Sequence, residues 1–131
     1  MHITFVYAAL FGLLFVALSV RALRLRVKLG ITIGDAGNQQ MLRAIRVHSN
    51  FAEYVPLALL LIYFTEQQGA SARFIHIVCL CLLLGRLAHA YGVSQLKENP
   101  RWRIFGTALT LGTIVVAAMH LLLSFARSRG A

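Results

Sequence analysis

Acidic side chains are almost missing from this sequence, which has four Asp and Glu against 13 Lys and Arg in 131 residues. Charge of either sign is scarce, at 13% of residues, where an ordinary soluble domain carries about a quarter. That shortage excludes a conventional soluble fold, and the length excludes a two-domain soluble enzyme. Only two cysteines occur, Cys79 and Cys81, on either side of one leucine in an apolar run. They exclude a disulfide scaffold, and as a lone CxC they lack the further ligands a metal site needs, so they read as buried thiols. Internal repeats and low-complexity tracts are also missing. What is abundant is apolar: 59% hydrophobic residues and a mean hydropathy of +0.73 exclude a disordered chain and describe a small integral membrane protein.

A span needs about 20 mostly apolar residues to cross a hydrocarbon core of about 30 Å. The windows of that kind predict an all-α, four-helix membrane bundle in a single domain, 1–131, with spans at about 3–27, 40–66, 73–96 and 103–126. Ile3 to Val20 and Ile104 to Ala126 carry no charge, and Phe74 to Leu96 carries only Arg86. The first run has no basic segment before it and no small-x-small site before Arg21, so it reads as a retained helix and not as a signal peptide. It continues as a basic stretch, Arg21 to Lys28, until Gly30, Gly34 and Gly37 break it, and Asp35 or Asn38 is placed to cap the next helix. Short connections follow at Glu66 to Ser71 and Lys97 to Arg101. In the last span Gly106, Gly112 and Ala117-Ala118 suit close helix contact.

A net charge of +9 would suggest nucleic acid in a soluble chain. Here the basic residues lie between apolar stretches, which argues against nucleic acid and for membrane orientation. The first and third connections and their flanks carry nine Lys and Arg, whereas the opposite side carries Arg73, Arg127 and Arg129. The positive-inside rule then predicts cytoplasmic basic connections and termini on the other side.

The second span is the unusual one. At about 100° per residue, Arg43, Arg46, Asn50 and Glu53 fall within an arc of roughly 80°. Facing lipid, each charge would cost about 2.5–3.5 kcal/mol near the bilayer centre, so the stripe faces protein, water or a ligand. One explanation is an ion pair of Glu53 with Arg46 or Arg86, with Asn50 bonded across the helix interface. The other starts from excess positive charge: Arg43, Arg46, Arg86, Arg101 and Arg103 gather near one depth against Glu53, with Glu98 in the loop. Guanidinium forks match carboxylates, so such a cluster is a site for an anionic ligand. His89 lies to one side of Arg86 on its helix, a candidate donor, and Tyr91 points nearly opposite, as an interface anchor or a site residue. The spacing argues against a bis-His haem site from His48, His76, His89 and His120: His76 and His89 lie towards opposite ends of the third span, and His120 has no partner at its depth except His76.

At this stripe the sequence resembles the membrane-associated proteins in eicosanoid and glutathione metabolism. Arg46-Val-His-Ser-Asn50-Phe-Ala-Glu53-Tyr54-Val-Pro56 fits that family's Arg-x-x-x-Asn-x-x-Glu signature with its Tyr-x-Pro extension, and Gly85-Arg86-Leu-Ala-His89 is a second match. The resemblance spans Arg21 to Ala126 and is strongest, in length and loops, to small bacterial members. It implies a homotrimer in the bacterial inner membrane, with glutathione as co-substrate held between neighbouring subunits on the cytoplasmic side. Carried over by position, Arg46, Asn50, Glu53 and Arg86 contact glutathione, with His89 and Tyr91 as further binding candidates. Arg103 or Arg101 stabilises the thiolate, Arg103 fitting better. Such a guanidinium makes a nucleophile at neutral pH of a thiol whose ordinary pKa is about 8.5. His89 and Val93 stand where leukotriene C4 synthase has tyrosines, and Ile104 where prostaglandin E synthase has a serine. The implied activity is that of a glutathione transferase or peroxidase acting on lipophilic electrophiles or hydroperoxides that arrive through the lipid. A non-catalytic protein of the same fold, binding an anionic ligand or scaffolding partners, is the alternative.

Overall fold

Local capping chemistry sets where each helix begins and ends. The computed structural model describes residues 2–97 and 99–129. Helix α1, Ile3–Leu29, ends where Gly30 takes up a left-handed φ of 66°. The amides of Gly30 and Ile31 then donate to the carbonyls of Val27 and Arg26, the paired pattern that closes a helix on glycine. Helix α2, Gln39–Gln67, starts on Asn38, whose side chain accepts from the Met41 amide at 3.0 Å. Asp35, the other candidate cap, instead accepts from the Gly37 amide and shapes the turn before it. Pro56 sits inside α2 without ending it. Helix α3, Ala72–Ser94, is capped by Ser71, and helix α4 runs Pro100–Arg129.

The helices overrun most of the expected spans, and α4 shows why. Asn99-Pro100 is a helix start: the Asn99 side chain accepts from the Arg101 amide at 3.1 Å, and proline occupies the first helical position, where its missing N–H costs nothing. Arg101, expected in the connection, therefore stands with Arg103 in the first turn of α4. Glu98, expected in that loop, lies outside the described residues.

All four helices are long and apolar enough to cross a membrane. Helices α2 and α3 each touch all three other helices, while among the described residues α1 and α4 do not meet. Phe11, Val47, Phe51, Ala58, Ile62 and Leu82 form the centre of the core. Lipid tails are as apolar as these side chains, so burial alone does not hold helices together in a bilayer, and close packing and polar links do. The tightest seam is α3 against α4. A Cβ on Gly106 would lie 2.5 Å from the Gly85 carbonyl and 2.6 Å from the His89 nitrogen. Gly112, expected to serve the same purpose, has nothing within 4 Å of its would-be Cβ and lines an outward apolar groove. The contact glycines that the sequence reading passed over are Gly85 and Gly92, on α3.

Polar links tie the ends. Glu66, late in α2, accepts from the Ile3 and Thr4 amides at 2.6 and 3.1 Å and from the Thr4 hydroxyl at 2.7 Å. Its charge thus sits on the positive end of the α1 dipole. At the other end Arg21 donates to the Ser94 hydroxyl at 2.6 Å. Between them the Tyr7 hydroxyl lies 3.2 Å from His76 Nδ1, and the Ser19 hydroxyl 3.0 Å from His48 Nε2.

Candidate functional site

The polar stripe of α2 is one wall of an open pocket of about 330 Å³ at the basic end of the bundle. Arg43, Arg46, Asn50 and Glu53 line it from α2, His89 and Val93 from α3, and Arg103 from α4. The α3–α4 seam carries Arg103 to this place: a Cβ on Gly92 would lie 2.9 Å from the Arg103 nitrogen, so the first turn of α4 packs directly on α3 backbone. Arg46, Glu53 and Arg103 are exposed on the outer surface of the subunit, whereas His89 is 6% exposed and forms the pocket's inner wall.

Arg86 stands behind the pocket and not in it. It is buried, at 2% exposure, and its guanidinium donates to Asn50 Oδ1 at 2.7 Å. Arginine has no acceptor, so this bond fixes which end of the Asn50 amide faces the core and leaves the NH2 group available to donate elsewhere. Of the ion-pair explanation, the Asn50 bond across the helix interface is present, with Arg86 as its partner, while no ion pair joins Glu53 to Arg46 or Arg86 among the described residues. Asn50, three residues before Glu53 on α2, is the side chain that the Arg86 guanidinium reaches. Arg43 donates to the Val93 carbonyl at 3.1 Å, one of the last-turn carbonyls of α3 that carry the negative end of the helix dipole.

Two expected site residues lie elsewhere. Tyr91 is 56% exposed and meets Trp102 edge-on with ring centroids 5.7 Å apart, lining an apolar groove with Leu84, Leu87 and Phe105. Arg101 is exposed and does not line the pocket. Conversely, Gln39, Leu42 and Ser49 line it without having been singled out. Gln39 is within reach of helical phase: at about 100° per residue it falls roughly 20° from Arg46, one turn before Arg43. Ser49 falls at the stripe's edge, roughly 60° away, where helical phase alone does not decide.

Chemically, the described lining offers three guanidinium groups, one carboxylate and the amides of Gln39 and Asn50. That set fits a solute with carboxylates for the arginines, an ammonium for Glu53 and peptide groups between them.

Sequence comparison agrees with the geometry. The sequence model of the MAPEG family matches residues 4–123. The inner membrane protein YecN of Escherichia coli K12 is 39% identical over 104 residues, covering 79% of this chain and 78% of YecN. Its counterpart in Escherichia coli O6:H1 strain CFT073 matches equally. With the polar stripe on α2, four apolar helices and a match over nearly the whole length, this chain belongs to the MAPEG family.

Proposed function

We propose that this protein is a glutathione-dependent membrane enzyme of the transferase or peroxidase type, acting on lipophilic electrophiles or hydroperoxides that reach it through the bilayer. The observation that carries the proposal is the convergence of Arg43, Arg46, Asn50, Glu53 and Arg103 from two helices on one open pocket. Glutathione presents two carboxylates, one ammonium and two peptide groups, which matches that lining group for group. In this assignment Glu53 takes the ammonium, Arg43 and Arg46 take carboxylate, and Asn50, held by Arg86, donates to the peptide backbone. Arg103, on the opposite wall, stabilises the thiolate that attacks the electrophile. His89 packs beside the ligand on the inner wall.

The same proposal includes assembly and orientation. Arg46 and Glu53 are exposed on the subunit surface although α2 is a membrane span, and bare contact with lipid is costly for both. A neighbouring subunit of a homotrimer covers them and closes the pocket around glutathione. The chain lies in the inner membrane, as YecN is named, with its two basic connections cytoplasmic and its termini outside.

The test is glutathione titration of the detergent-purified protein, read by calorimetry and by ultraviolet thiolate absorbance at neutral pH. Saturable binding with a thiolate signal supports the enzyme. Binding without thiolate supports the non-catalytic alternative, and no binding removes the glutathione assignment.

A further inference from the structure

A second groove, separate from the site, runs along α1. Its floor has a polarity gradient that follows the helix axis. Leu13, Val16 and Val20 come first, all exposed, with Leu13 at 70%. Then come Arg21, next in sequence, and Arg24 and Lys28, one and two turns beyond Val20. At about 100° per residue all six fall within an arc of roughly 140°, one broad face of the helix. The groove is open, encloses about 600 Å³, and has no acidic residue in its lining.

The depth of this gradient can be read from neighbouring contacts. Arg21 donates to Ser94, so the start of the basic segment is level with the last turn of α3, where Tyr91 meets Trp102. Tyrosine and tryptophan gather where hydrocarbon gives way to headgroups. The aliphatic part of the groove therefore lies at acyl-chain depth and Arg24 and Lys28 at headgroup depth. Arg26, between them in sequence, is turned away and donates to the Gly34 carbonyl at 3.0 Å, where it fastens the α1–α2 connection. Gln40, the α2 residue at the groove, lies roughly 120° around the helix from Arg46, so the groove and the glutathione pocket face different directions.

We propose that this groove is a binding site for one anionic phospholipid, its phosphate held by Arg24 and Lys28 and an acyl chain lying along Val20, Val16 and Leu13. A soluble anion would use only the basic half of the lining; a lipid uses both halves at the depths where they occur. Basic pockets at the headgroup level of membrane helices bind acidic headgroups for this reason.

The experiment is native mass spectrometry of the full-length protein in detergent, titrated with short-chain phosphatidylglycerol or phosphatidylcholine. The wild type should retain phosphatidylglycerol preferentially. Each groove charge removed should weaken it about fivefold, so R24Q/K28Q should lose on the order of twentyfold, with phosphatidylcholine unaffected. K97Q, which removes an exposed charge from the α3–α4 connection, should retain the wild-type preference. The proposal fails if K97Q loses as much as R24Q/K28Q, because the effect is then diffuse charge. It also fails if glycerophosphoglycerol, the headgroup alone, displaces the lipid at equal concentration. A change of oligomeric state in R24Q/K28Q with lipid retention intact would assign the groove to a second copy of the chain and overturn it as well.

Discussion

Arg86 joins the core to the site through one hydrogen bond. A buried guanidinium inside a membrane helix is tolerated only with a polar partner, and Asn50 is that partner at 2.7 Å. Each residue needs the other, so the motif Arg46-x-x-x-Asn50-x-x-Glu53 on α2 and Gly85-Arg86 on α3 act as one unit. Among the described residues Glu53 makes no such structural bond, and it is exposed, which leaves it to the proposed ligand. E53Q should therefore weaken glutathione binding by about ten- to hundredfold, the worth of one charge-assisted hydrogen bond, with melting temperature unchanged; calorimetry and thermal shift together check it. R103L should abolish conjugation of a lipophilic electrophile while leaving glutathione bound within about tenfold, because one of three arginines is lost from binding but the thiolate loses its stabilising charge. Stopped-flow thiolate absorbance distinguishes the two effects, and unchanged turnover would move the role away from Arg103.

At the scale of elements, the α3–α4 seam positions the catalytic candidate. Arg103 reaches the pocket because α4 lies directly on α3 backbone at Gly85, Gly92 and Gly106. A methyl group at Gly106 meets backbone atoms that cannot turn aside, so G106A should push the helices apart at a cost of about 1–3 kcal/mol. It should lower the melting temperature in detergent and reduce turnover together. G112A adds its methyl to open space and should change stability by no more than about 0.5 kcal/mol. Equal effects of the two substitutions would show that the seam does not set the position of α4. The cross-links at the opposite end work differently: Glu66 holds α1 by its unpaired first-turn amides, the groups that a helix start leaves without partners.

At the scale of the whole molecule, the surface is the informative part. Only 17% of the most apolar window of α4 is buried, and 22% of that of α1, so the bundle spends most of its apolar surface outward. In water that would be an aggregation surface; in a bilayer it is the ordinary lipid face. The polar stripe of α2 breaks this face and marks where a neighbouring subunit sits in the proposed trimer. The proposed orientation is open to direct measurement. Single cysteines placed at Gly69 and Lys97, in a background with Cys79 and Cys81 replaced by serine, should differ in reaction with a membrane-impermeant maleimide. G69C should label in intact spheroplasts, and K97C only after lysis. The reverse pattern would place the basic connections outside the cytoplasm.

Much of this was legible in the residues before any coordinates. Hydrophobic length set the number of helices, since a bilayer leaves no other economical way to satisfy backbone groups. Helical phase alone put Arg43, Arg46, Asn50 and Glu53 on one stripe, because three- and four-residue spacing is a property of the helix and not of its surroundings. Contacts between helices were beyond that logic. Phase does not say which neighbour a face meets, so it allowed an Asn50 bond across the interface without telling that Arg86 would be its partner, and did not tell that Gly106 would be pressed against α3 while Gly112 stayed open. Nor did it separate Arg103, which lines the pocket, from Arg101, two residues away and outside it. Those outcomes depend on the rotation and closeness of one helix against another, which the packing of all four helices sets jointly.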